Sequence, residues 1–312
     1  MLSETTQTFS DRLRGIHAAT IVPMTPDFEI DEAKLAAHLA LVASVPGING
    51  LLVNGHAGEN FVLSPAEKQR VVELARAHAP TGCLIVSGVN HESSLEAARE
   101  AAALEQAGAD GLLVFPPNSW ALAHADDCVI AHHRRIRDAT TAPLMLYAAP
   151  VGAGAMAYAP PLLERLVADP RFVAIKEGSW EVAAYEQNLR LIRKLRPEFI
   201  VLGSGDEHLM TSYLVGSAGS QVSLACVVPE LLVSLWTAAE AGDWERARAM
   251  HDKLYPLAAA IYRDAPGGRA IVRLKACLKL LGHLPCDAVR PPQPPVTPDE
   301  LRALELALRL VG

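Results

Sequence analysis

Two short apolar runs end in residues that can do chemistry. Leu144-Met145-Leu146 leads into Tyr147, and Phe172-Val173-Ala174-Ile175 leads into Lys176, followed by Glu177 and Gly178. Runs this short and this rich in strand formers read as buried parallel strands. An ammonium carried into a protein interior costs on the order of several kcal/mol unless it is paired or deprotonated. Desolvation favours the neutral amine. A neutral amine attacks carbonyl carbon and forms a Schiff base, whose iminium withdraws electrons from the adjacent carbons. A phenol one strand away can move the protons that such an addition requires. The competing reading has Lys176 reaching past the strand end to pair with Glu177 or another acid.

Positioning two such side chains at one place calls for a repeating scaffold, and the chain supplies one. Apolar runs at 18–23, 50–55, 84–88, 111–115, 144–147, 172–176, 199–203 and 220–225 alternate with helical patterns. The helical segments 31–44, 64–79, 93–107 and 126–139 fill the first gaps, and Ser64-Pro65-Ala66-Glu67 has the spacing of a capping box with proline at the first helical position. Eight strand–helix units imply parallel strands and an α/β fold, a (β/α)₈ TIM barrel ahead of a doubly wound sheet. From Pro229 onward the pattern is helical only, at 229–241, 243–262, 268–281 and 298–311, with a proline-rich connector at 285–298. The expected division is a barrel core over 1–228, then the last barrel helix and a C-terminal helical appendage over 229–312.

In a barrel of this kind chemistry gathers at the C-terminal strand ends and the loops after them. Those places carry the loop 54–59 with His56 and Ala57, Pro116-Pro117-Asn118, Tyr147, Lys176, and Ser204-Gly205-Asp206. Glu59 and Asp206 read as loop-ordering acids. The stretch 152–157 formally matches a dinucleotide-binding glycine pattern, but Pro160-Pro161 follows too soon for a phosphate-cradling helix, so it reads as a loop at the site. The acid–histidine runs at 124–128 and 206–208 lack a convincing metal triad, and no metal or cofactor is expected.

Bulk composition narrows the class. The 312 residues are half hydrophobic and one-fifth charged, enough for a large core. A net charge of −7 argues against a nucleic-acid partner, and the basic stretch 132–137 reads as a solvated helix face. Five widely spaced cysteines without a C-x-x-C suit reduced thiols, the N-terminus lacks the apolar core of a leader, and no run is long enough to span a membrane. A cytoplasmic protein acting on a small molecule is expected.

Several short motifs occur in order over nearly the whole chain. Gly55-His56-Ala57-Gly58-Glu59 stands against G-[ST]-T-G-E, Tyr147-Ala148-Ala149-Pro150 against Y-N-x-P, and Ile175-Lys176-Glu177 against [IV]-K-[ED]. Ser204-Gly205-Asp206-Glu207 stands against S-G-D-[DE], and Leu224-Ala225-Cys226-Val227 followed by Pro229-Glu230 against G-L-A-N-V-x-P-E. The chain thereby resembles the dihydrodipicolinate synthase / N-acetylneuraminate lyase family of class I aldolases. By that resemblance Lys176 is the Schiff-base lysine and Tyr147 the proton-relaying tyrosine. His56 and Ala57 would hold the carboxylate of a 2-oxo acid such as pyruvate through their backbone N–H groups, with Gln221 and Val222 beside the bound unit. A homo-oligomer, tetramer or dimer, is likewise implied.

The departures bear on specificity. The family's loop hydroxyls are replaced by His56 and Ala57, and an imidazole can take over a proton relay. No arginine follows Tyr147-Ala148-Ala149-Pro150, where Gly152 stands instead, and the loop that would offer a second relay tyrosine carries Asn118 and Trp120. Dihydrodipicolinate synthesis is therefore disfavoured. The leading expectation is aldol cleavage or formation in a 2-keto-3-deoxy sugar acid or 4-hydroxy-2-oxo acid. A dehydratase sharing the enamine intermediate comes next, and a non-catalytic 2-oxo-acid-binding barrel last.

Overall fold

The computed structural model describes residues 8–122, 124–263 and 267–311; the N-terminal residues 1–7, part of the stretch read for a leader, lie outside it. Eight parallel strands close into a barrel in chain order: β1 (Gly15–Ala19), β2 (Ile48–Val53), β3 (Leu84–Val89), β4 (Gly111–Val114), β5 (Leu144–Ala148), β6 (Phe172–Glu177), β7 (Ile200–Gly203) and β8 (Gly219–Val222). Helix α1 (Phe9–Arg12) precedes the barrel. Between strands run α2 (Glu32–Ala43), α3 (Pro65–His78), α4 (Ser94–Gln106), α5 (Asp126–Ala139), α6 (Pro160–Val167), α7 (Val182–Leu195) and α8 (Leu209–Val215). After β8 come α9 (Pro229–Glu240), α10 (Trp244–Tyr262), α11 (Ala270–Leu280) and α12 (Pro298–Val311). No described helix is long and apolar enough to cross a membrane.

Strand parity decides which side chains meet. Leu52, Leu84, Val86, Leu113, Met145, Ala174 and Leu202 fill the barrel, while their neighbours Leu51, Ile85, Leu112, Leu146, Ile175 and Val201 pack outward under the helices. Tyr147 is two residues beyond Met145 and Lys176 two beyond Ala174, so both continue the inward rows. The β5–β6 register pairs Tyr147 directly with Lys176.

Helix α3 starts as its sequence dictates. The Glu67 N–H donates to Ser64 Oγ at 3.3 Å, and the Ser64 N–H donates to Glu67 Oε2 at 2.7 Å. Three strands depart from expectation by two residues or more, the others by one. Strand β1 occupies 15–19 rather than 18–23, because the apolar run continues past the last ladder pair towards Pro23 as a mouth segment. Strand β2 ends before Asn54, which turns to φ 52°. Strand β8 stops at Val222, and Ser223–Cys226 winds into a 3₁₀ turn because the Asp206 carboxylate captures the Leu224 N–H at 2.9 Å. On α5 the stretch 132–137 is not wholly solvated: His132 and His133 are buried, and only Arg134 and Arg135 face outward fully. The His133 ring accepts from the Tyr158 hydroxyl at 3.1 Å, since its other nitrogen donates to the Val129 carbonyl.

The outer apolar layer runs without interruption into the C-terminal helices, taking in Leu254, Leu257, Ile261 and Leu274. The last helices lie against the barrel mouth, where Lys275 on α11 pairs with Glu59 of the loop after β2.

Candidate active site

The loop after β2 is a 3₁₀ turn, His56–Gly58, flanked by two non-glycine residues in left-handed conformation, Asn54 and Glu59. Such conformations persist only where the surroundings impose them. Asn54 Nδ2 donates to the Lys68 carbonyl and to Ser87 Oγ, both at 2.9 Å. The Glu59 carboxylate is buried, held by the Lys275 ammonium and by the Arg290 N–H at 3.0 Å. A side chain at Gly88 would press to 2.1 Å from the Asn54 carbonyl, so β3 can pass beneath the loop only with a glycine there.

This turn stacks His56 among aromatic rings. Its centroid lies 4.4 Å from Phe115 and 4.7 Å from Phe61, and 5.3 Å edge-on from Tyr147. Burial, with the Lys176 charge adding, pushes the imidazole down to about 3, so His56 is neutral at physiological pH.

Lys176 is 9% exposed, and its Nζ lies 6.0 Å from the centre of the Tyr147 ring. Burial pulls the amine down to about 8, partly opposed by the Asp206 carboxylate. No described carboxylate comes within ion-pairing distance of it. Glu177 is turned away: its carboxylate accepts from the Ser179 N–H at 3.2 Å and from Asn188 Nδ2 at 2.9 Å. The Tyr147 phenol is buried, and desolvation, with Glu177 adding, raises it well above its usual range, so it stays protonated. Gly178 makes room for this ring, since a Cβ there would lie 2.7 Å from the Ala148 carbonyl and 3.2 Å from the Tyr147 ring.

On the other side of Lys176 stands Asp206, its carboxyl raised by burial to about 6. The Tyr262 phenol, from the end of α10, shares a hydrogen bond with Ser223 Oγ at 2.7 Å, and burial, with the Asp206 charge adding, raises it well above its usual range. These groups surround a cavity of about 430 Å³ at the barrel mouth, within the roughly 300–1,000 Å³ typical of small-molecule sites. Phe61, Ala153, Met156, Trp180, Ile271 and Leu274 complete most of its wall. A smaller crevice beside Trp180 and Tyr185 is lined without either Lys176 or Tyr147.

Of the residues singled out in the sequence, Lys176, Tyr147, His56 and Ala57 meet in this cavity. Asn118 does not: the loop after β4 turns outward, leaving Asn118 exposed with its N–H bound to the Glu92 carboxylate at 2.8 Å. Val222 packs outward into the helical layer. Gln221 points into the barrel below the cavity, opposite His17 on β1, and Ser223 takes the lining position on β8. The sequence reading did not single out Trp180, Tyr262, Ile271 and Leu274. Trp180 sits four residues after Lys176 and was within reach of a motif reading, but nothing local marks the other three.

Comparison with known proteins bears on the family and the fold. The family model described as the dihydrodipicolinate synthetase family matches residues 12–310. The 4-hydroxy-tetrahydrodipicolinate synthase 1 of Streptomyces coelicolor is 33% identical over 276 residues, 88% of this chain and 86% of that protein. YagE of Escherichia coli K12, provisionally assigned as a 2-dehydro-3-deoxy-D-gluconate aldolase, is 28% identical over 94% of each chain. The crystal structure of YagE in complex with pyruvate superposes with a TM-score of 0.86 at 25% identity, covering 96% of this chain and 98% of that one. With a family match over nearly its full length and the matching closed barrel, the chain belongs to the dihydrodipicolinate synthetase family.

Proposed function

We propose that this protein is a class I aldolase that forms an imine between Lys176 and a 2-oxo acid and cleaves, or forms, the C3–C4 bond of a 4-hydroxy-2-oxo acid. The observation that carries the reading is the placement of a desolvated amine, lowered to about 8, beside a buried phenol on the paired strand. Similarity to YagE, whose structure holds pyruvate, supports it. The barrel strands supply the amine and phenol, and the C-terminal helices supply the cavity's roof through Tyr262, Ile271 and Leu274.

The chemistry follows from the arrangement. Backbone N–H groups of the turn at His56 and Ala57 hold the substrate carboxylate, and the neutral Lys176 amine adds to C2. The C2 oxygen takes one proton from the Tyr147 phenol and one from the added amine nitrogen and leaves as water, which yields the iminium. The phenolate then takes the proton of the C4 hydroxyl. The C3–C4 bond breaks, its electron pair enters the iminium to give the enamine, and C4 departs as an aldehyde. Protonation at C3 and hydrolysis return pyruvate and the free lysine. A neutral His56 packed edge-on to Tyr147 orients the ring and keeps water from it.

The test is reductive trapping. Incubation with pyruvate and borohydride, followed by digestion and mass analysis, is expected to place one reduced adduct on the Lys176 peptide. Adducts on other lysines with Lys176 unmodified would refute the assignment. A second expectation concerns Gly178. Gly178→Ala presses on the Ala148 carbonyl and crowds the Tyr147 ring; a full displacement of about 1 Å at a proton donor can cost on the order of 100-fold in rate, and the smaller shift needed here roughly 10-fold. Turnover is expected to fall by about the smaller factor while pyruvate still binds, as read by steady-state kinetics alongside pyruvate calorimetry.

A further inference from the structure

The cavity's polar groups are unevenly distributed. His56, Tyr147 and Lys176 gather at the end where the imine forms. Ser204, Asp206, Ser223 and Tyr262 lie on one flank, and three of these already have partners. Ser223 Oγ and the Tyr262 hydroxyl are 2.7 Å apart, and Asp206 accepts the Leu224 N–H at 2.9 Å. Everything else among the described lining residues is carbon-rich, and none is an arginine.

Two aromatic faces border the remaining space. On one side Phe61 stacks on His56, itself stacked on Phe115. On the other, Trp180 lies 5.8 Å from the Tyr262 ring. The Trp180 backbone is held at φ 59°, a conformation that is a genuine outlier for so bulky a residue. Strain of this kind is retained where the resulting side-chain placement is used. Ile271 and Leu274 of α11 close the roof, and Ala153 and Met156 form part of the wall.

A polyhydroxylated tail entering this space would exchange water for carbon at most of its hydroxyls, and polar groups buried without partners bind poorly. A flat or branched apolar tail would fill it with dispersion contacts and release water. We propose that the fragment beyond C4 is aromatic or branched aliphatic, so that the enzyme acts on 4-hydroxy-2-oxo acids bearing an apolar substituent and releases an apolar aldehyde. This deepens the imine reading of the same site and rests on it for the reaction, though not for the preference in binding. The bond changes are those given above: C3–C4 breaks, the C4 hydroxyl loses its proton, and C4 becomes the carbonyl of the leaving aldehyde.

The test uses two acids of equal charge that lack the C2 carbonyl and so form no imine, 2-hydroxy-4-phenylbutanoate and 3-deoxygluconate. Calorimetry on the intact protein is expected to show the phenyl acid bound at least about tenfold more tightly. Trp180→Ala and Phe61→Ala, made separately, are each expected to weaken the phenyl acid by about fivefold or more and leave the polyol acid within about twofold. Equal affinities, or tighter binding of the polyol acid, overturn the inference. Loss of both ligands in step in both variants overturns it as well. Borohydride trapping with pyruvate, run in parallel, reports on Lys176 alone. An adduct with no phenyl preference sinks only the present inference, and a phenyl preference with no adduct sinks only the imine.

Discussion

Lys176→Met is expected to abolish turnover, by roughly 10⁴-fold or more as for loss of other covalent nucleophiles, while leaving the fold at least as stable near neutral pH. The two halves of this result come from one cause. The interior holds the amine down at about 8, against 10.5 for a free lysine. Below about pH 8 both folded and unfolded chains carry the proton, and the folded state bears the whole desolvation penalty. Between about 8 and 10.5 the unfolded chain binds a proton that the folded one does not, so stability rises with pH. The interval of about 2.5 pH units corresponds to about 3 kcal/mol. Methionine has similar length and no charge, so it removes the penalty at neutral pH. Part of the gain is offset at Asp206, which loses a cation beside a carboxyl already raised to about 6. Urea melts at pH 7 are therefore expected to place the variant between parity and about 3 kcal/mol above the parent, with its advantage shrinking as the pH rises towards 10.5. Destabilisation by several kcal/mol would instead identify Lys176 as a structural partner of Asp206.

How far the sequence revealed this site depends on the range of the interactions that built it. Lys176 and Tyr147 were legible because strand ends, parity and register are local, and adjacent barrel strands bring the two together. His56 and Ala57 were legible for the same reason, being carried by a tight turn after β2. Asn118 lies outside the cavity because the direction of a loop after Pro116-Pro117 depends on what caps it, and the Glu92 carboxylate that does so lies 26 residues upstream. The end of β8 depends likewise on Asp206, 18 residues before the N–H it captures. Motif position points to Gln221 and Val222, whereas the turn that begins at Ser223 brings Ser223 to the cavity wall. The roof was invisible. Tyr262, Ile271 and Leu274 read as ordinary amphipathic-helix residues, and only the folding of the C-terminal helices over the barrel gives them a cavity to face.

Those helices are fastened to the loop after β2, and releasing the fastening is the second large effect expected. Lys275 is fully buried, with its ammonium on the Glu59 carboxylate and a second hydrogen bond, 2.8 Å, to the Ala288 carbonyl. Burial pushes this lysine's pKa down and the Glu59 charge holds it up, which marks a charge kept inside only by its partner. Lys275→Met leaves the carboxylate buried with the Arg290 N–H as its remaining donor, and breaking a buried pair from one side costs about 3–5 kcal/mol. Glu59→Gln combined with Lys275→Met removes both charges and keeps a polar group for Arg290, so it is expected to recover most of that loss. Activity should separate the two roles of the pair. Glu59 sits next to the 56–58 turn in a left-handed conformation, so in the single variant the turn loses the contact that fixes it and the affinity for pyruvate falls. Denaturation and pyruvate binding measured on the single and double variants check both statements. A single variant within about 1 kcal/mol of the parent would show the pair to be dispensable, as many exposed ion pairs are. A double variant that regains stability without regaining pyruvate affinity would show that the charge, and not merely the packing, sets the turn.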